Sequence, residues 1–221
     1  LRPLVERYLA SLPSIGRKET FRDNGGAPPK GVVQRVVNKG SEPKANTMIE
    51  FTGSCVSTPQ SRFMFRALTT LVQMRLNETL REKLGGTYSP NVGGGCTREP
   101  RPEYTIQIAF GSSPENVDLL SKASFALIDS LKAKPPSQAD VDKVKEQILR
   151  AREVETRQNA YWVGNIIARD EAGEDLGGLT TQYDEMVKQL TAAQLQETAK
   201  LYFNTSNYAK FVLLPEGKTA Q

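Results

Sequence analysis

The stretch LREKLGGTYS, residues 80–89, is where a helical pattern turns directly into a pattern typical of a strand. A simple interpretation is an ordinary helix end, in which Arg81 complements the helix dipole, Gly85 supplies a left-handed cap and Tyr88 begins a strand. A second interpretation is that Gly85 and Gly86 reverse the chain so tightly that Arg81 and Tyr88 face one point. A guanidinium and a phenol are suitable donors for a carbonyl oxygen that gains negative charge. The stretch alone leaves both interpretations open.

The flanking sequence predicts a helix before this stretch and a strand after it. Residues 60–84 form the predicted helix, and Thr58 can cap it. Its core-facing side is an apolar stripe at four-residue spacing: Leu68, Val72, Leu76, Leu80 and Leu84. After Tyr88, the sequence NVGGGCTREPRPE (91–103) predicts a flexible loop, and the alternating sequence YTIQIAF (104–110) predicts a strand. A hairpin between the Tyr88 segment and that strand is the natural pairing.

The rest of the chain predicts an α+β fold. Strand patterns occupy 31–40, 46–53 and 207–216, and helical patterns occupy 113–134, 137–169 and 181–190, with a last helix from Thr191. Capping boxes are predicted for the pairs Ser137–Asp140 and Thr191–Gln194. This order predicts a mostly antiparallel sheet with helices packed on one face, a two-layer sandwich. Residues 1–30 are expected to be the end of an upstream helix and a linker, and residues 31–221 a single module.

Composition excludes several classes of function. The 221 residues carry a net charge of +4 with acids and bases interspersed, which is typical of a solvated surface and not of a nucleic-acid partner. No apolar run approaches the roughly 20 residues that span a bilayer. The chain has no histidine, which excludes Ser–His and Cys–His nucleophile pairs and zinc sites built on histidine. Any catalysis in which the chain takes part is expected to have its main chemistry elsewhere.

The two cysteines, Cys55 and Cys96, make no disulfide framework. One bridge between them is possible, but two buried or half-buried thiols are the favoured state.

Other candidate groups have a structural interpretation that is preferred to a functional one. Glu78 and Glu82 could suggest acid–base chemistry, but exposed charge pairs with Lys83 are preferred. Tyr161 and Trp162 are expected to pack in the core or between domains. A solvated helix end is preferred to a cation site for Asp170, Glu171, Glu174 and Asp175.

The stretch LREKLGGTYS resembles a motif of the insulinase/pitrilysin family of zinc metallopeptidases, in particular its bacterial and mitochondrial-processing-type members. The matching positions are Leu80, Arg81, Glu82, Lys83, Leu84, Gly85, Tyr88 and Ser89. The flanks are similar to the family in the same order: LRPLVERYLASLP (1–13), KGSEPKANTMIEFTG (39–53), YTIQIAFGSSPENVDLL (104–120) and LTAAQLQETAKLYFN (190–204). The resemblance therefore covers essentially the whole chain.

The resemblance implies how such a chain takes part in proteolysis. The family carries zinc on an H-x-x-E-H helix in its N-terminal half, so this histidine-free chain resembles the zinc-less half and is expected to bind no cofactor itself. By resemblance, Arg81 and Tyr88 contact the substrate carbonyl in a chamber enclosed by both halves, and Gly85 and Gly86 position them. The expected partners are a peptide substrate and the zinc-bearing half, in the same chain or as a separate subunit. The fragment alone is expected to be inactive.

The family also contains non-catalytic members that resemble core subunits of a respiratory complex. A scaffold or regulatory subunit is therefore the alternative function, although the retained Arg81 and Tyr88 favour the enzyme. An intact H-x-x-E-H in the upstream sequence of the parent chain would distinguish the two. A bacterial member with a signal peptide upstream would be periplasmic.

Overall fold

The computed structural model describes residues 1–17, 20–87 and 90–217. Its strands are β1 Val32–Asn38, β2 Ala45–Ser54, β3 Asn91–Cys96, β4 Glu103–Ser112 and β5 Tyr208–Leu214. Its α-helices are α1 Arg2–Tyr8, α2 Pro59–Leu76, α3 Val117–Ala133, α4 Gln138–Glu155, α5 Asn159–Glu171, α6 Thr181–Gln189 and α7 Ala192–Tyr202. A π-helical segment, Asn77–Lys83, continues α2.

The five strands form one sheet in the order β1-β5-β2-β4-β3. The β1–β5 pair is parallel, and the other three pairs are antiparallel. The predicted α+β fold, with a mostly antiparallel sheet and helices on one face, is confirmed. No helix within the described ranges is long and apolar enough to cross a membrane.

The core lies between one face of the sheet and the helices. Alternate residues of β4, from Tyr104 to Phe110, are buried, as the alternating sequence predicts. Ile49 and Phe51 of β2 lie opposite Ile108 and Ile106, on the same inner face. The stripe predicted for α2 is buried at Leu68, Val72, Leu76 and Leu80, whereas Leu84 is 40% exposed and does not belong to the core.

Helix starts are the best-predicted local features. Thr58, Ser137 and Thr191 each accept a backbone hydrogen bond at the start of α2, α4 and α7. The single helix predicted for residues 137–169 is wrong, because the chain breaks between α4 and α5. The Trp162 indole N–H donates to the Thr156 carbonyl over 2.8 Å, which fixes this break.

Two further predictions are wrong at one edge of the sheet. The first six residues of the predicted loop 91–103 form β3, which pairs along β4. A Cβ at Gly94 would lie 1.9 Å from the Thr105 carbonyl oxygen, so glycine permits the close backbone approach. The cysteines are joined in a disulfide, with 6.2 Å between the Cα atoms of Cys55 and Cys96. The sheet causes this pairing, because β2 and β3 flank β4 and bring both cysteines to the same end.

Candidate functional site

The helix that ends at the LREKLGG stretch is wound more widely than an α-helix. Its last seven residues, Asn77–Lys83, are π-helical, a conformation that is rare and often found at functional sites. Hydrogen bonds from residue i to residue i+5 place more residues in each turn than an α-helix has. Residues four apart therefore no longer lie on the same face, and Leu84 points away from the core. Leu80 remains fully buried and anchors the turn, while the Arg81 side chain is exposed.

The two glycines let the chain turn immediately after this segment. Gly85 has a φ of +59°, the left-handed conformation expected for it. The Gly85 N–H donates to the Arg81 carbonyl and the Gly86 N–H donates to the Leu80 carbonyl, both over 3.1 Å. A Cβ on Gly86 would lie 2.6 Å from Cδ2 of Leu120 on α3. The turn is therefore closed by backbone hydrogen bonds and packed directly against α3.

Gln73 ties the start of β3 to α2, a contact that the sequence patterns did not reveal. Its Nε2 donates to the Pro90 carbonyl over 2.7 Å, and its Oε1 accepts from the Val92 N–H over 2.7 Å. The Gln73 amide thus supplies the hydrogen bonds that a neighbouring strand would make to the Pro90 carbonyl and the Val92 N–H. A polar residue on the flank of an amphipathic helix has no sequence signature for this role, so only the fold identifies it.

The structure places three of the four predicted site residues at one corner. Arg81, Gly85 and Gly86 lie at the end of the π-helical segment. Tyr88 falls outside the described residues, as does Ser89 next to it. Thr87 and Pro90, on either side of them, are both buried. The described chain before this gap is fixed by the glycine turn, and the described chain after it is fixed by Gln73.

A cavity of about 490 Å³ borders the glycine turn. One wall is the turn itself, Gly85 to Thr87, and the other is formed by the start of β2 at Asn46 and the end of β4 at Gly111. The Thr87 hydroxyl oxygen is buried and has no hydrogen-bond partner within the described part of the chain. The glycine turn therefore borders an open space, whereas Arg81 is not among the residues that line it.

The charges beside the turn form ion pairs. Glu78 lies 2.9 Å from Arg75 and 2.8 Å from Lys83, so the predicted pair with Lys83 is confirmed. Hydrogen bonds from Lys83 and then Arg75 lower the pKa of Glu78 from 4.5 to about 2. Glu78 is thus ionised at neutral pH and is unsuited to act as a general acid. Arg75 also contacts Asp140 over 3.0 Å, which links this segment to α4.

The described ranges contain no group of three or more Cys, Asp or Glu side chains arranged to hold a metal ion. The predicted solvated end at residues 170–175 is wrong for Glu174, whose side chain is only 12% exposed. Arg62 and Arg98 both bind the Glu174 carboxylate. The hydrogen bond from Arg62 is the main cause of the lowered pKa of Glu174. Glu174 therefore belongs to an ion-pair network between elements, whereas Asp170, Glu171 and Asp175 are exposed, as predicted.

Comparison with known proteins places this fold in a family. The model of the peptidase M16 inactive domain matches residues 1–148, more than half of the chain. The chain belongs to the peptidase M16 inactive-domain family. The probable zinc protease PqqL of Haemophilus influenzae is 28% identical to this chain over 131 residues, which are 59% of this chain and 14% of that protein.

Solved structures share the fold of this M16 domain. A protease from Helicobacter pylori aligns with a TM-score of 0.79 and 19% identity, over 97% of this chain and 52% of that chain. The periplasmic protease PqqL of Escherichia coli aligns with a TM-score of 0.74 and 20% identity, over 97% of this chain and 24% of that chain. This M16 domain thus spans about half the length of one solved relative and about a quarter of the other.

Proposed function

We propose that this M16 inactive domain is the zinc-less module of a zinc endopeptidase. It closes the substrate chamber and supplies Arg81 and Tyr88 to an active site in a zinc-bearing N-terminal half. The observation that carries the proposal is the fixed corner after α2. Gly85 and Gly86 close the helix end there, and Gln73 holds the segment that follows Tyr88.

Arg81 and Tyr88 act on the carbonyl of the peptide bond that is cleaved. The carbonyl oxygen gains negative charge as a tetrahedral intermediate forms, and a guanidinium and a phenol hydroxyl each donate a hydrogen bond to it. Donors fixed beforehand stabilise this charge without reorganisation, which is why a rigid turn suits the role. The chemistry that zinc supplies, from the other half, is the activation of water.

We further propose that the chain matures in an oxidising compartment, which for a bacterial protein is the periplasm. The Cys55–Cys96 disulfide supports this, because such bonds persist in secreted and periplasmic proteins and are rare in the cytosol. The Escherichia coli relative is itself a periplasmic protease.

The test is cleavage of a quenched fluorescent peptide library by three samples. They are this chain alone, the zinc-bearing half alone and the mixture with zinc, with a chelator-treated mixture as the control. The proposal expects cleavage only in the complete mixture, because each half holds part of one site. Equal cleavage by the zinc-bearing half with and without this chain would contradict it.

The same experiment tests the alternative function, a non-catalytic scaffold or regulatory subunit. Association of the two folded parts without cleavage in any sample would favour the scaffold. An upstream sequence in which H-x-x-E-H is degenerate would agree with that outcome.

A further inference from the structure

A second cavity, of about 370 Å³, lies at the opposite end of α2 from the glycine turn. The first turns of α2 line it together with the end of α4, one side of α5 and the start of α6. We call it the arginine pocket and define it by six of its lining residues: Arg62, Arg66, Glu155, Tyr161, Arg169 and Tyr183.

Positive charge exceeds negative charge on the wall of the arginine pocket. Three guanidinium groups line it, against the single lining carboxylate of Glu155. Arg62 is also paired with Glu174, which lies outside the lining and binds Arg98 as well, so the arginines still outnumber the acids. Arg66 holds Glu155 in a two-point contact of 2.7 and 3.0 Å. Arg62 and Arg66 keep 37% and 35% of their side-chain surface exposed, so the charges are accessible from solvent. The remaining positive potential favours an anion.

Two of the lining residues, Tyr161 and Tyr183, carry hydroxyl groups that can donate hydrogen bonds. The Tyr183 hydroxyl is buried and has no hydrogen-bond partner within the described part of the chain. Burial raises the pKa of Tyr183, so it keeps its proton at neutral pH. The Tyr161 hydroxyl accepts a 2.8 Å hydrogen bond from Arg152, which leaves its own proton free to donate. A buried hydroxyl without a partner is costly, and a bound acceptor would satisfy it.

Aromatic rings form part of the wall. Phe63 packs edge-on against Tyr183 with 5.6 Å between ring centroids, and Arg152 stacks over the Tyr183 ring at 4.4 Å. The pocket thus combines cations, hydroxyl donors and flat apolar surfaces.

We propose that the arginine pocket binds a small oxyanion, either a carboxylate or a phosphate group. The anion lies against the guanidinium groups of Arg66 and Arg169 and accepts the Tyr183 hydroxyl proton in a hydrogen bond. The site does not depend on the proteolytic role of the domain, because Arg81 and the glycine turn lie at the other end of α2.

The fluorescence of Trp162 reports binding directly. Trp162 is the only tryptophan of the chain, and its ring lies 5.3 Å from that of Tyr161 on the pocket wall. Inorganic phosphate and sodium benzoate are titrated separately at constant ionic strength with chloride as the balancing anion. A saturable change with phosphate assigns a phosphate site, and one with benzoate assigns a site for an aromatic carboxylate. No saturable change with either probe would overturn the proposal.

Tyr183→Phe is the decisive variant, because it removes one hydroxyl and keeps the ring. It should weaken binding of the probe that gives a saturable change, phosphate or benzoate, by about tenfold or more, as expected for a hydrogen bond to a charged group. Its unfolding midpoint in urea should be unchanged or higher, since the lost hydroxyl had no partner. Tyr202→Phe, a buried tyrosine of α7 away from the pocket, is the matched control and should bind as the unmodified chain does. Equal affinity of Tyr183→Phe and Tyr202→Phe would contradict the proposed site.

Glu155→Gln should strengthen anion binding, whereas Tyr183→Phe should weaken it. It removes the lining carboxylate, so the affinity for phosphate or benzoate should rise several-fold. A fall in affinity in a variant that remains folded would show that the arginines serve the ion pair alone and would overturn the proposal.

Discussion

The two ends of α2 are held in different ways. At its N-terminal end, arginines reach across to acids of other elements, Arg62 to Glu174 and Arg66 to Glu155. At its C-terminal end, backbone hydrogen bonds at Gly85 and the amide of Gln73 fix the chain. The first arrangement relies on charged side chains, and the second adds backbone and amide hydrogen bonds to the ion pair of Arg75 with Asp140.

The disulfide joins these two regions into one unit. The chain runs from Cys55 along α2 to the glycine turn and returns along β3 to Cys96. The disulfide therefore joins the two ends of this segment near the arginine pocket. The glycine turn and the candidate site lie at the tip of the segment, far from the disulfide. We expect removal of this bond to lower stability, and changes of Arg81 and Tyr88 at the tip to lower activity.

The largest expected effect on stability is that of removing the disulfide. Replacing both cysteines, Cys55→Ser with Cys96→Ser, should lower the free energy of unfolding by about 4 kcal/mol, because the bond closes a loop with a sequence separation of 41. Urea unfolding of the variant and of the unmodified chain, with and without reductant, measures the difference. The same free energy in all samples, or two reactive thiols in the unmodified chain, would contradict the disulfide.

A methyl group on Gly86 should be the next most disruptive change. Gly86→Ala places a Cβ against Leu120, and overpacking of this kind costs about 1–3 kcal/mol. Gly164→Ala on α5 is the control, because nothing lies within 4 Å of a Cβ there and alanine favours a helix by about 1 kcal/mol. Thermal unfolding should therefore move in opposite directions for the two variants. A shift in the same direction would show that the turn does not pack closely on α3.

Gln73→Leu should loosen the start of β3 with a smaller effect on the whole fold. It leaves the Val92 N–H and the Pro90 carbonyl without their side-chain partner, a loss of about 1–2 kcal/mol. Hydrogen exchange at the Val92 amide should accelerate. Gln189→Leu, which removes an exposed bond to Glu185, should leave that amide unchanged. An unchanged Val92 exchange rate in Gln73→Leu would show that Gln73 does not hold the start of β3.

The smallest expected effect is the pH dependence due to Glu78. Its pKa falls from 4.5 to about 2 on folding, so its stabilising contribution is present above pH 4.5 and is lost as the pH falls towards 2. Unfolding midpoints of the unmodified chain and of Glu78→Gln should differ at neutral pH and converge in acid. A constant difference across this range would show that the ion pairs with Lys83 and Arg75 do not shift the pKa.

Local patterns in the sequence predicted most of the fold. Capping at Thr58 and the alternation from Tyr104 to Phe110 depend on neighbouring residues, so a sequence reveals them. β3 was missed because its three consecutive glycines carry no strand preference, and only pairing with β4 makes it a strand. The disulfide was missed because the fold, and not sequence spacing, brings its cysteines together.

The candidate site was predicted in part. The residues of the turn follow from the motif and its resemblance to a family, but the π-helical winding and the Gln73 contacts do not. Both arise from how α2 meets β3 and α3 in three dimensions. The arginine pocket was missed for the same reason, since its residues come from four separate helices.

The most direct test of the proposed function is the kinetics of Arg81→Ala and Tyr88→Phe in the assembled endopeptidase. Each should lower kcat by about 100-fold or more with a small change in KM, because the lost hydrogen bond forms chiefly in the transition state. Arg150→Ala, an exposed arginine on α4, is the control and should retain full activity. Full activity in the Arg81 and Tyr88 variants would contradict the claim that this domain completes the active site.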